Sequence, residues 1–150
     1  MIELKRKLYN ACVEFVKNRE QTILEIMSSN QKALTSETKS SAGDKHETGR
    51  AMLQLEMEKA SQQLEGIHAM KTILTRVNLD DNSELIKLGS LIITSQANYF
   101  LAISVGEITI DAKIYYAISP SSPIGQLMLG KKAGDEFVFN GKEDQIIEVY

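Results

Sequence analysis

Two long stretches of this chain repeat apolar residues every three or four positions, and that repeat limits the fold more than any other feature. The first runs Leu4, Leu8, Ala11, Phe15, Ile23, Ile26 or Met27, and Leu34, with no Gly or Pro inside it and Lys, Glu, Gln and Asn on the other faces. The second runs Leu53, Met57, Ala60, Leu64, Ile67, Met70 or Lys71, and Leu74, the alternating four-three spacing of a coiled-coil seam. The first is less regular around Arg19. Each stripe is too narrow to build a globular core, so each must bury itself against a partner helix. The short polar connection from Thr35 through Gly43 makes the other arm the simplest partner, giving an antiparallel hairpin. A first arm of about 32 residues projects ~48 Å at about 1.5 Å per residue. Cys12 falls on the apolar face and reads as packing rather than as a nucleophile, and Met52, Met57 and Met70 read as fillers of the seam.

The period changes after Arg76. Asn78-Leu79-Asp80-Asp81-Asn82-Ser83 is polar, and beyond it Ser90–Thr94, Tyr99–Ser104, Glu107–Ile110 and Lys113–Ile118 are β-branched or aromatic runs separated by turn residues. Ser122-Pro123 opens a short helix, with Ser as N-cap and Pro at the first helical position, and Gly130 closes it. Glu136–Phe139, the pair Asn140-Gly141, and Gln145–Tyr150 predict a terminal hairpin with a tight turn. The expectation is an α+β chain: a coiled-coil hairpin over 1–77, a linker over 78–82, and a small, mostly antiparallel β domain with one helix over 83–150.

Composition narrows the function. A net charge of -3 argues against a free-standing nucleic-acid binder, which would be basic. No apolar run reaches the length of a membrane span, Met1-Ile2-Glu3-Leu4-Lys5 has no apolar signal core, and the single cysteine suits a reducing compartment. A cytoplasmic protein is expected.

Gly43-Asp44-Lys45-His46-Glu47-Thr48 lies between the two arms, so the hairpin carries two carboxylates, three residues apart, at its far end. Asp at an N-cap with Glu at the third helical position is close to a capping box. The same pair can instead be presented to something the hairpin reaches, and one acid can cap while the other faces outward. His46 reads as a solvent-facing polar residue rather than a metal ligand. Lys45 and Arg50 flank the acids and read either as contacts to phosphates or as a solvated helix start; Lys32 and Lys39 extend that basic set, with acids interspersed.

Gly43-Asp44-x-x-Glu47 at the head of a second coil helix resembles the tip of the Gre transcript-cleavage factors of bacterial RNA polymerase, which typically reads Gly-Asp-Leu-x-Glu-Asn. The run Ile118-Ser119-Pro120-Ser121-Ser122-Pro123-Ile124, followed by Leu129-Gly130-Lys131-Lys132-Ala133-Gly134-Asp135-Glu136, resembles that family's second domain more closely. The order of parts agrees, so the resemblance covers nearly the whole chain. It implies an FKBP-like β domain that docks at the rim of the polymerase's secondary channel, while the hairpin reaches down to the active site. There Asp44 and Glu47 would help hold the polymerase's second Mg²⁺ and its attacking water, so that the polymerase cuts its own backtracked transcript. Ser121, Ser122 and Pro123 would lie at the docking surface, and Lys45 and Arg50 near the nascent RNA. This chain departs from the family pattern in Lys45-His46 and Thr48-Gly49 around the acids, in Ser121 where an acid often precedes Ser-Pro, and in lacking an early Arg-Pro step.

The resemblance implies a monomeric accessory factor, not an enzyme, with Mg²⁺ shared with its partner. A channel-occupying regulator without cleavage activity fits the same shape. An FKBP-type isomerase or chaperone with a coiled-coil handle fits less well, because no Trp is present and the five Tyr and four Phe are spread over both halves. A plain coiled-coil dimerisation module, with arms pairing between chains, is the remaining alternative.

Overall fold

The computed structural model describes the backbone of residues 1–39 and 44–150, and the side chains of residues 1–36 and 47–150. A long helical hairpin, α1 (Ile2–Lys39) and α2 (Asp44–Thr75), is followed by a sheet and one short helix, an α+β fold. The strands are β1 (Leu91–Thr94), β2 (Asn98–Leu101), β3 (Gly106–Ile110), β4 (Lys113–Ile118), β5 (Glu136–Phe139) and β6 (Lys142–Val149), with α3 (Pro123–Met128) between β4 and β5.

The chain forms two compact units, Met1–Phe15 with Lys71–Tyr150, and Val16–Met70. The sheet-bearing unit thus includes the root of both arms, residues that periodicity alone groups with the hairpin. Within it the Tyr9 hydroxyl donates to the Leu74 carbonyl at 3.1 Å, and Leu8, Cys12 and Leu74 are buried. In the other unit Ile23, Ala60 and Ile67 are buried and His68 lies 3.8 Å from Glu20. Residue numbers rise on α1 as they fall on α2, so the helices run antiparallel.

The seam of α2 follows its sequence stripe: Ala60, Ile67 and Leu74 are buried, with Leu53, Met57, Leu64 and Met70 half-buried. The α1 seam differs from its stripe. Lys5, Leu8, Cys12, Val16, Ile23 and Asn30 are its buried positions, while Leu4, Ala11 and Phe15 are half-buried. Met27, not Ile26, turns inward. Met52 is 60% exposed, which corrects its reading as a seam filler; it lies one position off the Leu53–Met57 stripe and so turns out of the seam.

The sheet has the order β3-β4-β2-β1-β6-β5. Every pairing is antiparallel except β2 with β4, which is parallel and aligns Tyr99 with Tyr116. On one face Ile86, Ile92, Leu101, Ile124, Met128, Phe137 and Ile146 form a core, with Tyr99, Ile118, Phe139 and Val149 at its margin. Helix α3 contributes Ile124 and Met128, which an i, i+4 spacing puts on one side of a helix; full burial of each such side chain is worth about 1.5–3 kcal/mol. The expected terminal hairpin is present, its turn made by Asn140 (φ 52) and Gly141 (φ 76), the left-handed pair of a type I′ turn.

Candidate functional site

Helix α2 begins at Asp44, so Asp44 and Glu47 occupy its first turn, where the unpaired backbone N–H groups favour negative charge. Their spacing puts the two backbone positions on the same side of the helix. Glu47 and Arg50 are exposed, as is Lys32. Gly43 and the side chains of Lys39, Asp44, Lys45 and His46 lie outside the described residues. Among the described residues no three His, Cys, Asp or Glu converge on a point that could hold a metal ion.

The loop before α3 is a closed hydrogen-bond unit centred on Ser122. Its hydroxyl donates to the Ser119 carbonyl at 2.6 Å and accepts from the Gly125 amide at 3.1 Å, the N-cap geometry that Ser-Pro predicts. The Ser122 amide donates to the Ser119 hydroxyl at 3.1 Å. Gly125 is required here, since a Cβ at that position would stand 2.0 Å from the Ser119 carbonyl oxygen. Ser122 thus holds the loop's shape and remains half-exposed. What the loop shows to solvent is Ser121, whose hydroxyl meets that of Ser119 at 3.0 Å, and the exposed ring of Pro123.

Two buried charges in the sheet-bearing unit carry no local sequence signal. Asp144 is 7% exposed and accepts from the hydroxyls of Thr94 (2.8 Å) and Ser95 (2.7 Å) and from the amides of Gln96 (3.2 Å) and Gln145 (2.8 Å). It ties the β1–β2 turn to β6 across about fifty residues of chain. Lys5 on α1 is 2% exposed; burial lowers its pKa from the ordinary lysine value, opposed by Asp81 and Asp80, while Lys87 adds to the lowering. Lys87 itself is paired with Asp81. Burial pushes the Cys12 thiol up to about 12, so it stays protonated and serves as a small apolar group. Lys7 reaches Asp111 at 3.4 Å, and Leu4 and Lys7 share a cleft of about 300 Å³ with Ile110, Lys113 and Tyr115. The root of α1 therefore lies against the β3–β4 hairpin.

No helix among the described residues is long and apolar enough to cross a membrane. The chain matches no protein-family model and no curated protein.

Proposed function

We propose that this protein is an accessory factor that acts on a larger enzyme by presenting side chains on a helical hairpin. More particularly, it is a Gre-type transcription elongation factor that binds RNA polymerase and stimulates the polymerase's own cleavage of backtracked transcripts. The observation that carries this reading is the placement of Asp44 and Glu47 together in the first turn of α2, on a hairpin joined to a β domain. That combination matches the order of parts implied by the Gre resemblance.

The chemistry asks little of the protein itself. Asp44 and Glu47 would help hold the second of two Mg²⁺ ions at the partner's active site, a pair that would supply an activated water and stabilise the attacking and leaving oxygens of phosphodiester cleavage. The two acids would complete and orient that shell, and being on one helical turn they need no rearrangement of their own backbone to do so. Arg50, exposed two positions from Thr48, is available for transcript phosphates. In the loop before α3, Ser121 and Pro123 offer the contact to the polymerase while Ser122 holds the loop's shape. Cytoplasmic location and a monomeric state belong to the same proposal.

The test is transcript cleavage in backtracked complexes with Mg²⁺, comparing wild type with Asp44→Ala/Glu47→Ala. Faster cleavage with wild type, and a double variant that binds polymerase without speeding it, is the expected result. Wild type that binds yet leaves cleavage at its intrinsic rate makes the acids helix-start residues and the protein a channel-occupying regulator. No binding to polymerase rejects both readings.

A further inference from the structure

The sheet carries an open patch beside its core. Register partners on neighbouring strands project to the same face. Glu107 on β3 is paired with Tyr116 on β4, Tyr116 with Tyr99 on β2, Tyr99 with Ile92 on β1, and Ile92 with Val149 on β6. These five side chains form one row across the sheet. Its inner end is core: Ile92 is fully buried, and Tyr99 and Val149 pack at the core margin. Its outer end is open, with Glu107 exposed and Tyr116 38% exposed. Ile114, two positions along β4 on the same face, is 45% exposed.

The two tyrosine rings stand 6.1 Å apart with their planes 39° from parallel, leaving an angled aromatic surface rather than a closed stack. One exposed carboxylate edges it. Glu107 lies beside Tyr116, and on the other side Asp144 acts on Tyr99. The Tyr99 phenol is raised above its ordinary pKa first by burial, then by the Asp144 charge, then by Tyr116. The row itself contains no base. An aromatic face edged by an exposed acid, with an aliphatic side chain beside it, is complementary to one kind of group. A guanidinium can lie flat on a tyrosine ring, its positive charge facing the ring's negative face and a carboxylate at its edge, while its methylene stem covers Ile114. An anionic partner such as a nucleic-acid backbone is repelled by the same acid.

We propose that the Glu107–Tyr116–Tyr99 row is a docking site for an arginine presented by a partner protein in an extended segment. The assignment stands apart from the cleavage reading, since it uses neither the hairpin acids nor the loop before α3.

The test titrates the full-length, isotope-labelled protein with a short acetylated peptide of Arg, Gly and Ser, and follows it by NMR. The control is the same peptide with each Arg replaced by Gln. Expected are shifts centred on Tyr99, Ile114, Tyr116 and Glu107, binding lost with the Gln peptide, and about fivefold or greater weakening in Tyr116→Leu. That substitution keeps an apolar side chain and removes the aromatic face. Glu107→Gln at the exposed edge strand should weaken binding while leaving the rest of the spectrum in place. Equal binding of the Gln peptide, shifts centred away from this row, or unchanged affinity in a folded Tyr116→Leu each overturns the proposal.

Discussion

Replacing Asp144 with Ala should cost the sheet-bearing unit about 3–5 kcal/mol, since several donors lose a buried, charged acceptor at once. The magnitude follows from what the carboxylate holds. It accepts four hydrogen bonds, two from the hydroxyls of Thr94 and Ser95 and two from the amides of Gln96 and Gln145, all between 2.7 and 3.2 Å. Hydrogen bonds to a charged group are worth about 1.5–3 kcal/mol each. They do not sum here, because some of their donors keep other partners or regain water. Thr94, for instance, also contacts the Ala97 carbonyl at 2.8 Å. Ser95 keeps the Gln145 amide at 3.2 Å. For a chain of this size about 3–5 kcal/mol corresponds to a Tm lowered by roughly 6–20 °C. The assay can isolate the right unit. All five tyrosines, Tyr9, Tyr99, Tyr115, Tyr116 and Tyr150, lie in the sheet-bearing unit, so tyrosine near-UV circular dichroism through a urea titration reports that unit alone. Far-UV signal, dominated by α1 and α2, provides the comparison. A loss below about 1 kcal/mol in the tyrosine transition would show that the β1–β2 turn is held by backbone pairing, and the reasoning from the carboxylate would be refuted.

Asn30 is a buried amide in the α1 seam whose Nδ2 has no hydrogen-bond partner among the described residues, so Asn30→Leu should stabilise the Val16–Met70 unit by about 1–3 kcal/mol, read from the far-UV transition; a destabilised hairpin would mean the amide is satisfied. Lys5 has a folded-state pKa below its ordinary 10.5, so the folded state binds its proton less well than the unfolded state does. Its destabilising contribution is full at pH below the folded pKa and fades as pH rises from there toward 10.5. The stability advantage of Lys5→Met over wild type should accordingly be constant at neutral pH and shrink through that alkaline window, and a gap that widens there would reverse the assignment.

Much of the architecture was legible in the sequence because its determinants are local. The four-three stripe from Leu53 to Leu74 specifies which side of α2 is buried, since helix geometry alone relates those positions. Ser122-Pro123 and Gly130 bound α3 because capping acts within one turn, and Asn140-Gly141 makes the β5–β6 turn because few residue pairs tolerate two left-handed conformations in succession. The acid pair of α2 was legible for the same reason: two residues three apart on a helix need no further information to share a side.

Other features were decided only in three dimensions. The buried side of the α1 root includes Lys5 and Cys12 rather than Leu4 and Ala11; that root meets the β3–β4 hairpin as well as α2, and a one-dimensional period reports one neighbour at most. Asn30 lies in a seam position that composition would give to an apolar residue. Asp144 finds Thr94 and Ser95, and Tyr99 finds Tyr116, through sheet order; the parallel pairing of β2 with β4, with β3 sent to the edge, is a property of the whole sheet. Periodicity and capping act over a few residues, and so the sequence by itself determined the elements, the caps of α3 and the acid pair. Long-range pairing depends on which surfaces meet after the chain has collapsed, and so only the tertiary structure decided the buried charges and the aromatic row.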